Sequence, residues 1–152
     1  MAKVICIEDE THLRKDICEE LRDNGYEVLE ACDGAQGLDL IRSELPDLVI
    51  CDIRMPILDG YELLSKVRNG YGSWANVPFL FLTAYSERQD MLHGLASGAD
   101  DFIAKPVDFD LLIARIASML RQVNRTTEQV KTYQRDMQKE LNRAHAMQRD
   151  LL

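Results

Sequence analysis

The hydrophobic and polar positions of this chain alternate between two patterns. Five short runs are rich in apolar, β-branched and aromatic residues, which is typical of strands. Four of them are almost entirely apolar and one alternates, so most of these strands are predicted to be buried on both faces and one to lie nearer a sheet edge. The runs are Val4–Ile7, Tyr26–Ala31 (the alternating one), Leu48–Cys51, Phe79–Leu82 and Phe102–Ala104.

The segments between these runs have the three- and four-residue spacing of amphipathic helices. The first carries Leu13, Ile17, Cys18 and Leu21 on one side and stops at Asn24-Gly25. Others are predicted from Gly34 to Glu44, after Asp59-Gly60, from Ser86 to Gly98, and from an N-cap at Asp108 with Leu111, Leu112, Ile116 and Leu120 on the apolar side.

The resulting order, (βα)₅, predicts an α/β fold: a doubly wound parallel sheet covered by helices on both faces. In such sheets ligands bind beyond the carboxyl ends of the strands. The side chains expected there are Glu8 and Asp9 after the first strand, Asp52 after the third, Thr83 after the fourth and Lys105 after the fifth.

These residues form an unusual charge cluster. Two carboxylates about 4 Å apart repel by roughly 4 kcal/mol at an effective dielectric near 20, so Glu8, Asp9 and Asp52 need counter-charge. Lys105 supplies part of it, and a hard divalent cation such as Mg²⁺ would supply more. Each residue alone has an ordinary explanation as a turn or surface charge, and the combination is what indicates a site.

Charge and composition limit the partners. Residues 1–120 carry 22 acidic and 11 basic side chains, a net of −11, and residues 121–152 a net of +3. An acidic body disfavours nucleic-acid binding, which needs clustered Lys and Arg. No apolar run is long enough for a membrane span and no signal peptide is visible, so we expect a cytoplasmic protein. The cysteines (Cys6, Cys18, Cys32 and Cys51) lack metal-site spacing and are expected to be reduced and mostly buried.

Five motifs, in order over residues 3–120, resemble the receiver domain of two-component response regulators. They are Ile7–Glu10, Asp52–Gly60, Leu82–Ala84, Gly98–Phe102 and Lys105-Pro106. The resemblance implies a flavodoxin-like strand order, 2-1-3-4-5, and a phosphoacceptor domain that is not otherwise an enzyme. Its partner would be a histidine kinase or phosphotransfer protein.

The resemblance also implies a role for each residue of the cluster. Asp52 would accept the phosphoryl group. Asp9, Asp52 and the backbone carbonyl of Arg54 would bind Mg²⁺ (or Mn²⁺) directly, and Glu8 would bind it through water. Glu8 stands where the family more often has Asp.

Three further implications concern the switch. Lys105 would contact the phosphoryl oxygens and pair with Asp52 beforehand, and its peptide bond to Pro106 would be cis. Thr83 would move to the phosphoryl group, and Phe102, where the family more often has Tyr, would rotate inward. Arg54 and Tyr85 are bulky neighbours of the site with no predicted direction of effect.

The C-terminal segment has a different chemistry. From Asp108 to Leu152 it contains no Pro or Gly, and one seven-residue track is apolar: Ile116, Val123, Val130, Met137, Ala144 and Leu151. We expect helix 5 to extend into a coiled-coil homodimer, with a solvated monomeric helix as the alternative. The predicted domains are therefore a receiver over 1–120 and a dimerisation helix over 121–152.

The C-terminal segment and the site residues bear on several possible functions. Residues 140–152 resemble the linker before sporulation-type PPM serine/threonine phosphatase domains, which implies an absent output domain; the alternative is a stand-alone regulator acting by protein–protein contact. A phosphatase of the aspartyl-nucleophile type would want Asp at Arg54, and a flavin or nucleotide carrier a Gly- or Ser/Thr-rich loop at Glu8–Glu10. A DNA-binding transcription factor is disfavoured, because no winged-helix or helix-turn-helix segment follows residue 120.

Overall fold

A five-stranded parallel sheet forms the centre of the molecule. The computed structural model describes residues 1–84, 96 and 98–150, except for the side chains of 124–133 and 142–150. Its strands are β1 (Lys3–Ile7), β2 (Glu27–Ala31), β3 (Leu48–Asp52), β4 (Phe79–Thr83) and β5 (Asp101–Ala104). They lie in the order β2-β1-β3-β4-β5, which confirms the predicted fold class and places the alternating strand at an edge.

Helices follow the strands as predicted within the described residues. They are α1 (Thr11–Asp23), α2 (Gly34–Glu44), α3 (Gly60–Arg68), a 3₁₀ helix (Ser73–Asn76) and the C-terminal helix (Phe109–Asp150). The helix predicted between Ser86 and Gly98, and Tyr85 before it, lie outside the described residues except for positions 96 and 98.

Three of the helix boundaries carry capping residues that the sequence indicated. The Asp59 carboxylate accepts a hydrogen bond from the Glu62 amide at 2.8 Å and forms a capping box at the start of α3. The Asp108 carboxylate accepts from the Leu111 amide at 3.2 Å. Gly25, after the end of α1, adopts a φ of +88°, which glycine reaches without steric cost.

The core lies on both faces of the three central strands. Every residue of β3 and β4 is buried, including Phe79 and Phe81. All four cysteines are free thiols, and Cys6, Cys18 and Cys51 are buried, as expected. One predicted core position is wrong: Leu111 is 42% exposed, because the buried side of the C-terminal helix is centred on Leu112 and Ile116.

The chain divides into two compact units, Met1–Ile116 and Ala117–Leu152. The first contains the sheet, α1 to α3 and the start of the C-terminal helix; the second is the remainder of that helix. Among the described residues, no helix is both long and apolar enough to cross a membrane.

Candidate functional site

The parallel register brings the predicted side chains to one edge of the sheet. Ile7 pairs with Cys51, Asp52 with Leu82, and Thr83 with Ala104. The residues at or just beyond these pairs are Glu8, Asp9, Asp52, Thr83 and Lys105. All come from the first compact unit, and they meet at the carboxyl ends of β1, β3, β4 and β5.

Three carboxylates converge there. Glu8, Asp9 and Asp52 each offer an oxygen, and these oxygens lie within 4.8 Å of one another. Glu8 is 1% exposed and Asp52 6%, whereas Asp9 is exposed. Oxygen donors of this kind suit Mg²⁺ or Mn²⁺, which take one or two carboxylates and keep other positions for water or a phosphoryl oxygen. The donor set therefore fits the predicted metal.

Lys105 provides counter-charge to the two buried carboxylates. Its Nζ lies 3.1 Å from Oδ2 of Asp52 and donates to Oε1 of Glu8 at 3.3 Å. Burial alone would lower the pKa of Lys105, but the attraction of Asp52 and Glu8 outweighs burial and raises it. The lysine is thus held as an ammonium between the two buried carboxylates, and the pairing predicted for Lys105 and Asp52 is present.

The cluster perturbs Glu8 strongly. Burial, followed by the neighbouring charge of Asp52, raises the pKa of Glu8 to about 7, and Lys105 offsets only part of the effect. Near pH 7 the Glu8 side chain is therefore present in both its protonated and its ionised form. Sequence alone indicated the repulsion but not which carboxyl would retain the proton.

Thr83 ends β4 at the same edge. Its side chain is buried, and Oγ1 donates to the carbonyl of Ala84 at 3.2 Å. The amide of Lys105 donates to the Thr83 carbonyl at 2.7 Å, which fixes the end of β4 against the segment that carries the lysine. The Lys105–Pro106 peptide bond is cis, as predicted.

Phe102 lies on β5, where it pairs with Phe81 of β4, and its side chain is half-buried. Its ring centroid is 5.8 Å from that of Phe81, with the rings tilted by 41°. Phe81 also contacts Tyr61 and Phe79 edge to face. Phe102 therefore forms the outer member of an aromatic cluster that reaches into the core.

The loop between β3 and α3 is held close to Asp52. The Gly60 amide donates to the Ile53 carbonyl at 2.7 Å, and a Cβ at Gly60 would lie 2.6 Å from the Asp52 carbonyl oxygen, so only glycine fits. Within this loop the Arg54 side chain is exposed. Ile57 adopts a φ of +72°, a left-handed conformation that costs a β-branched residue about 1–2 kcal/mol.

Arg14 is a neighbour of the site that the sequence did not reveal. Its Nη1 donates to the Glu8 carbonyl at 2.7 Å, and its Nε donates to Oε1 of Glu30 at 3.3 Å. It thereby ties the segment carrying the acidic pair to α1 and β2. A single arginine on an amphipathic helix has no pattern that would have indicated this contact.

Arg68 has a similar role for the Gly98–Phe102 motif. Its guanidinium donates to the carbonyls of Ala75 at 3.0 Å, Val77 at 2.8 Å and Gly98 at 3.0 Å, and pairs with Asp100 at 3.2 Å. Asp100 in turn accepts from the Phe79 amide at 2.8 Å. This network joins the entries of β4 and β5 to α3.

Comparison with known proteins agrees with this geometry. The model of the response regulator receiver domain family matches residues 4–117. The chain is 41% identical over 123 residues to "Probable transcriptional regulator ycf27" of Guillardia theta, covering 81% of this chain and 47% of that protein. It is 33% identical over 131 residues to the "DNA-binding dual master transcriptional regulator RpaA" of a Synechocystis strain, covering 86% and 54%.

A solved structure agrees as well. The CheY-like response regulator receiver domain protein of Methanospirillum hungatei superposes with a TM-score of 0.77 at 27% identity, over 83% of this chain and 98% of that one. The chain spans about half the length of the curated relatives it matches. From the matched family model and these similarities, the chain belongs to the response regulator receiver domain family.

Proposed function

We propose that this chain accepts a phosphoryl group on Asp52 from a phosphohistidine of a histidine kinase or phosphotransfer protein. One observation carries the proposal: the buried Asp52 carboxylate has an ammonium 3.1 Å away and two further carboxylates close enough to share a cation. Phosphoryl transfer depends mainly on positioning and charge neutralisation, and this arrangement offers both.

Transfer forms one bond to phosphorus and breaks one, with the imidazole as leaving group and solvent as the source of its proton. A carboxylate oxygen of Asp52 forms a bond to phosphorus while the N–P bond of the phosphohistidine breaks. The electron pair returns to the imidazole nitrogen, which takes up a proton from water. The ammonium of Lys105, released from its partial pairing with Glu8, follows the charge that moves onto the phosphoryl oxygens.

The residues fit a divalent cation. Asp9, Asp52 and the carbonyl of Arg54 would hold Mg²⁺ or Mn²⁺ directly and Glu8 would do so through water. When bound, the ion neutralises charge on the phosphoryl oxygens. Without it, the three carboxylates repel an approaching phosphoryl group, and Lys105 offsets only part of that repulsion.

Phosphorylation would be read out through Thr83 and Phe102. The Thr83 hydroxyl is engaged only with the neighbouring carbonyl of Ala84 in the hydrogen bonds described, so it can exchange that acceptor for a phosphoryl oxygen. Phe102 pairs with Phe81 on β4, two residues before Thr83. Its ring would rotate inward as Thr83 moves, as the family resemblance implies.

We further propose that the receiver, residues 1–120, controls its output through a helical dimer formed by residues 121–152. Met137 and Leu141 are exposed apolar residues on the C-terminal helix, which supports a second copy as the partner. The curated relatives named above are transcriptional regulators about twice as long. Their names favour gene regulation as the output over the serine/threonine phosphatase suggested by residues 140–152.

A stand-alone regulator that acts by protein–protein contact is the second candidate. The net charge of −11 in residues 1–120 disfavours direct DNA contact by this domain, so its own surface is expected to contact other proteins under either candidate. In both readings the chain is a phosphoacceptor rather than an enzyme acting on a separate substrate.

Intact-mass measurement after incubation with Mg²⁺ and phosphoramidate tests the central proposal. We expect one added phosphoryl group in the native chain and none in Asp52→Asn. Asp59→Asn is a matched control, because Asn also caps helices and Asp59 lies outside the carboxylate cluster. Undiminished labelling of Asp52→Asn would contradict the assignment.

A further inference from the structure

A cavity of about 530 Å³ lies between the ends of α2 and α3 and opens to solvent. Its volume is within the range of about 300–1,000 Å³ that is usual for small-molecule sites. We call it the α2–α3 cavity, and its side chains come from the two helices and the loop before β4: Arg42, Ser65, Lys66, Asn69, Tyr71 and Trp74. These segments precede the amino-terminal ends of β3 and β4, so the cavity lies at the opposite edge of the sheet from Asp52.

Two aromatic residues form one wall of the cavity. The Trp74 indole is partly buried against the core, and a Cβ at Gly70 or Gly72 would collide with its ring, so only glycine fits on either side of Tyr71. Tyr71 itself is fully exposed. The loop therefore holds the tyrosine ring at the rim of the cavity, although packing within this unit does not use the ring.

Arg42 and Lys66 bring two positive charges to the same cavity, and both side chains are exposed. The guanidinium carbon of Arg42 lies 5.3 Å from the centre of the Trp74 ring. This cation–π contact orients the guanidinium, whose N–H groups can still donate to an acceptor. The positions of the two cations in the last turns of α2 and α3 suit the helix dipoles. The dipoles explain a cation in each helix but not why both line one cavity.

Within the part of the chain that the structure describes, neither Arg42 nor Lys66 forms an ion pair with a carboxylate. This is unusual in a region, residues 1–120, whose net charge is −11. Unpaired cations in an acidic body attract an anion, and the neighbouring ring favours an anion that carries a planar group. Other basic side chains of the first compact unit do form such pairs: Lys3, Arg14, Lys15, Arg22, Arg68, Lys105 and Arg115.

We propose that the α2–α3 cavity binds a nucleoside monophosphate. Arg42 and Lys66 would hold the phosphate, since a guanidinium can donate two parallel N–H bonds to phosphate oxygens. The exposed Tyr71 ring would stack on the base. Ser65 and Asn69, which are joined by a hydrogen bond of 3.3 Å, supply a hydroxyl and an amide for the sugar hydroxyls. The site is separate from Asp52, so this proposal does not depend on the proposed phosphoryl transfer.

The single tryptophan of the chain, Trp74, allows a direct binding measurement. AMP, GMP, CMP and UMP are titrated into the full chain, and binding is followed by the change in tryptophan fluorescence and by calorimetry. We expect at least one of them to bind saturably, with a dissociation constant below about 1 mM. The matching nucleoside lacks the phosphate and ribose 5-phosphate lacks the base, so each should bind about tenfold or more weakly than the nucleotide.

Three variants test the contacts, and all of them change exposed side chains. Arg42→Gln and Lys66→Gln each remove a charge, and Tyr71→Ser removes the ring. Each should weaken binding of the tightest nucleotide by about fivefold or more. Lys139→Gln is the matched control, because it removes a charge from an exposed lysine that does not line the cavity. It should leave the affinity unchanged.

Three outcomes would overturn the proposal. The first is the absence of saturable binding by all four nucleotides. The second is equal affinity for the nucleotide and for ribose 5-phosphate, which would make the cavity a general anion site. The third is an equal loss of affinity in Lys66→Gln and Lys139→Gln, or an unchanged affinity in both Arg42→Gln and Tyr71→Ser, since either result would place the binding outside this cavity.

Discussion

The Nζ of Lys105 lies 3.1 Å from Oδ2 of Asp52. Asp52 ends β3 and Lys105 directly follows β5, and these two strands are separated by β4. The ammonium thus reaches across one strand to the proposed phosphoacceptor and also contacts Glu8. This contact would serve both the stability of the fold and the proposed phosphoryl transfer, because the same ammonium that balances two buried carboxylates would balance the charge of a phosphoryl group.

Replacing Lys105 should lower both the stability of the fold and the rate of phosphoryl transfer to Asp52. Lys105→Met leaves Glu8 and Asp52 facing each other, and we expect a loss of about 1–3 kcal/mol in the free energy of unfolding at pH 8 without metal. This loss is smaller than that expected for a fully buried ion pair, because the Lys105 side chain is 25% exposed and solvent screens its charge. Urea denaturation measures it, with the exposed Lys66→Met as control. Equal unfolding free energies for the two variants would show that the pairing contributes nothing to stability.

The stability of the metal-free protein should fall as pH rises through the titration of Glu8. The pKa of this carboxyl is about 7 in the folded state, against an ordinary value of 4.5 for a glutamate in water, so the folded state binds the proton more tightly. Its stabilising contribution is complete below about pH 4.5 and is lost as the pH rises through about 7, a change on the order of 3 kcal/mol.

Glu8→Gln isolates this effect. The variant should be more stable than the native chain at pH 8 in EDTA, and the difference should shrink toward pH 5. Urea denaturation at several pH values gives the comparison. A parallel pH dependence in both proteins would mean that another group is responsible.

Mg²⁺ should stabilise the fold through the carboxylate cluster. At ten times its dissociation constant, a ligand bound only to the folded state adds about 1.4 kcal/mol, which raises Tm by several degrees. We expect EDTA to reverse the shift and Asp9→Asn to abolish most of it. Glu10→Gln, a neighbouring exposed carboxylate outside the cluster, should keep it. A full shift in Asp9→Asn would remove Asp9 from the proposed site.

If residues 121–152 form the proposed coiled coil, the mass of the protein in solution should depend on them. The full chain should sediment as a dimer, and a chain truncated after residue 122 mainly as a monomer. Met137→Glu, on the apolar seven-residue track, should dissociate the dimer, whereas Lys139→Glu, off that track, should not. Equal masses per chain for the full and truncated proteins would contradict helix-mediated dimerisation.

The sequence was sufficient to predict the sheet and the location of the site. Apolar runs such as Val4–Ile7 are typical of strands buried on both faces, and strand–helix alternation then predicts a parallel sheet. The carboxyl edge follows from that topology, so Glu8, Asp52 and Lys105 could be assigned to one place. The contacts of Lys105 with Glu8 and Asp52 then depend on the strand register, which the structure provides.

Other features depend on tertiary distances that no local pattern encodes. The pKa of Glu8 reflects how deeply this side chain is buried relative to Asp9, and adjacent residues of the same charge look alike in sequence. The contacts of Arg14 and Arg68 join segments that come together only in the fold. The exposure of Leu111 depends on the angle at which a helix packs, and helical spacing alone does not give that angle.

The separation of the site residues along the chain has a consequence for folding. The hydrogen bond between Lys105 and Glu8 joins residues 97 positions apart, and β5 is the last strand to be synthesised. A growing or incompletely folded chain therefore has the acidic residues without their ammonium. Under the proposed function, such a chain would be a poor substrate for its kinase, so signalling would be restricted to molecules that have completed the sheet.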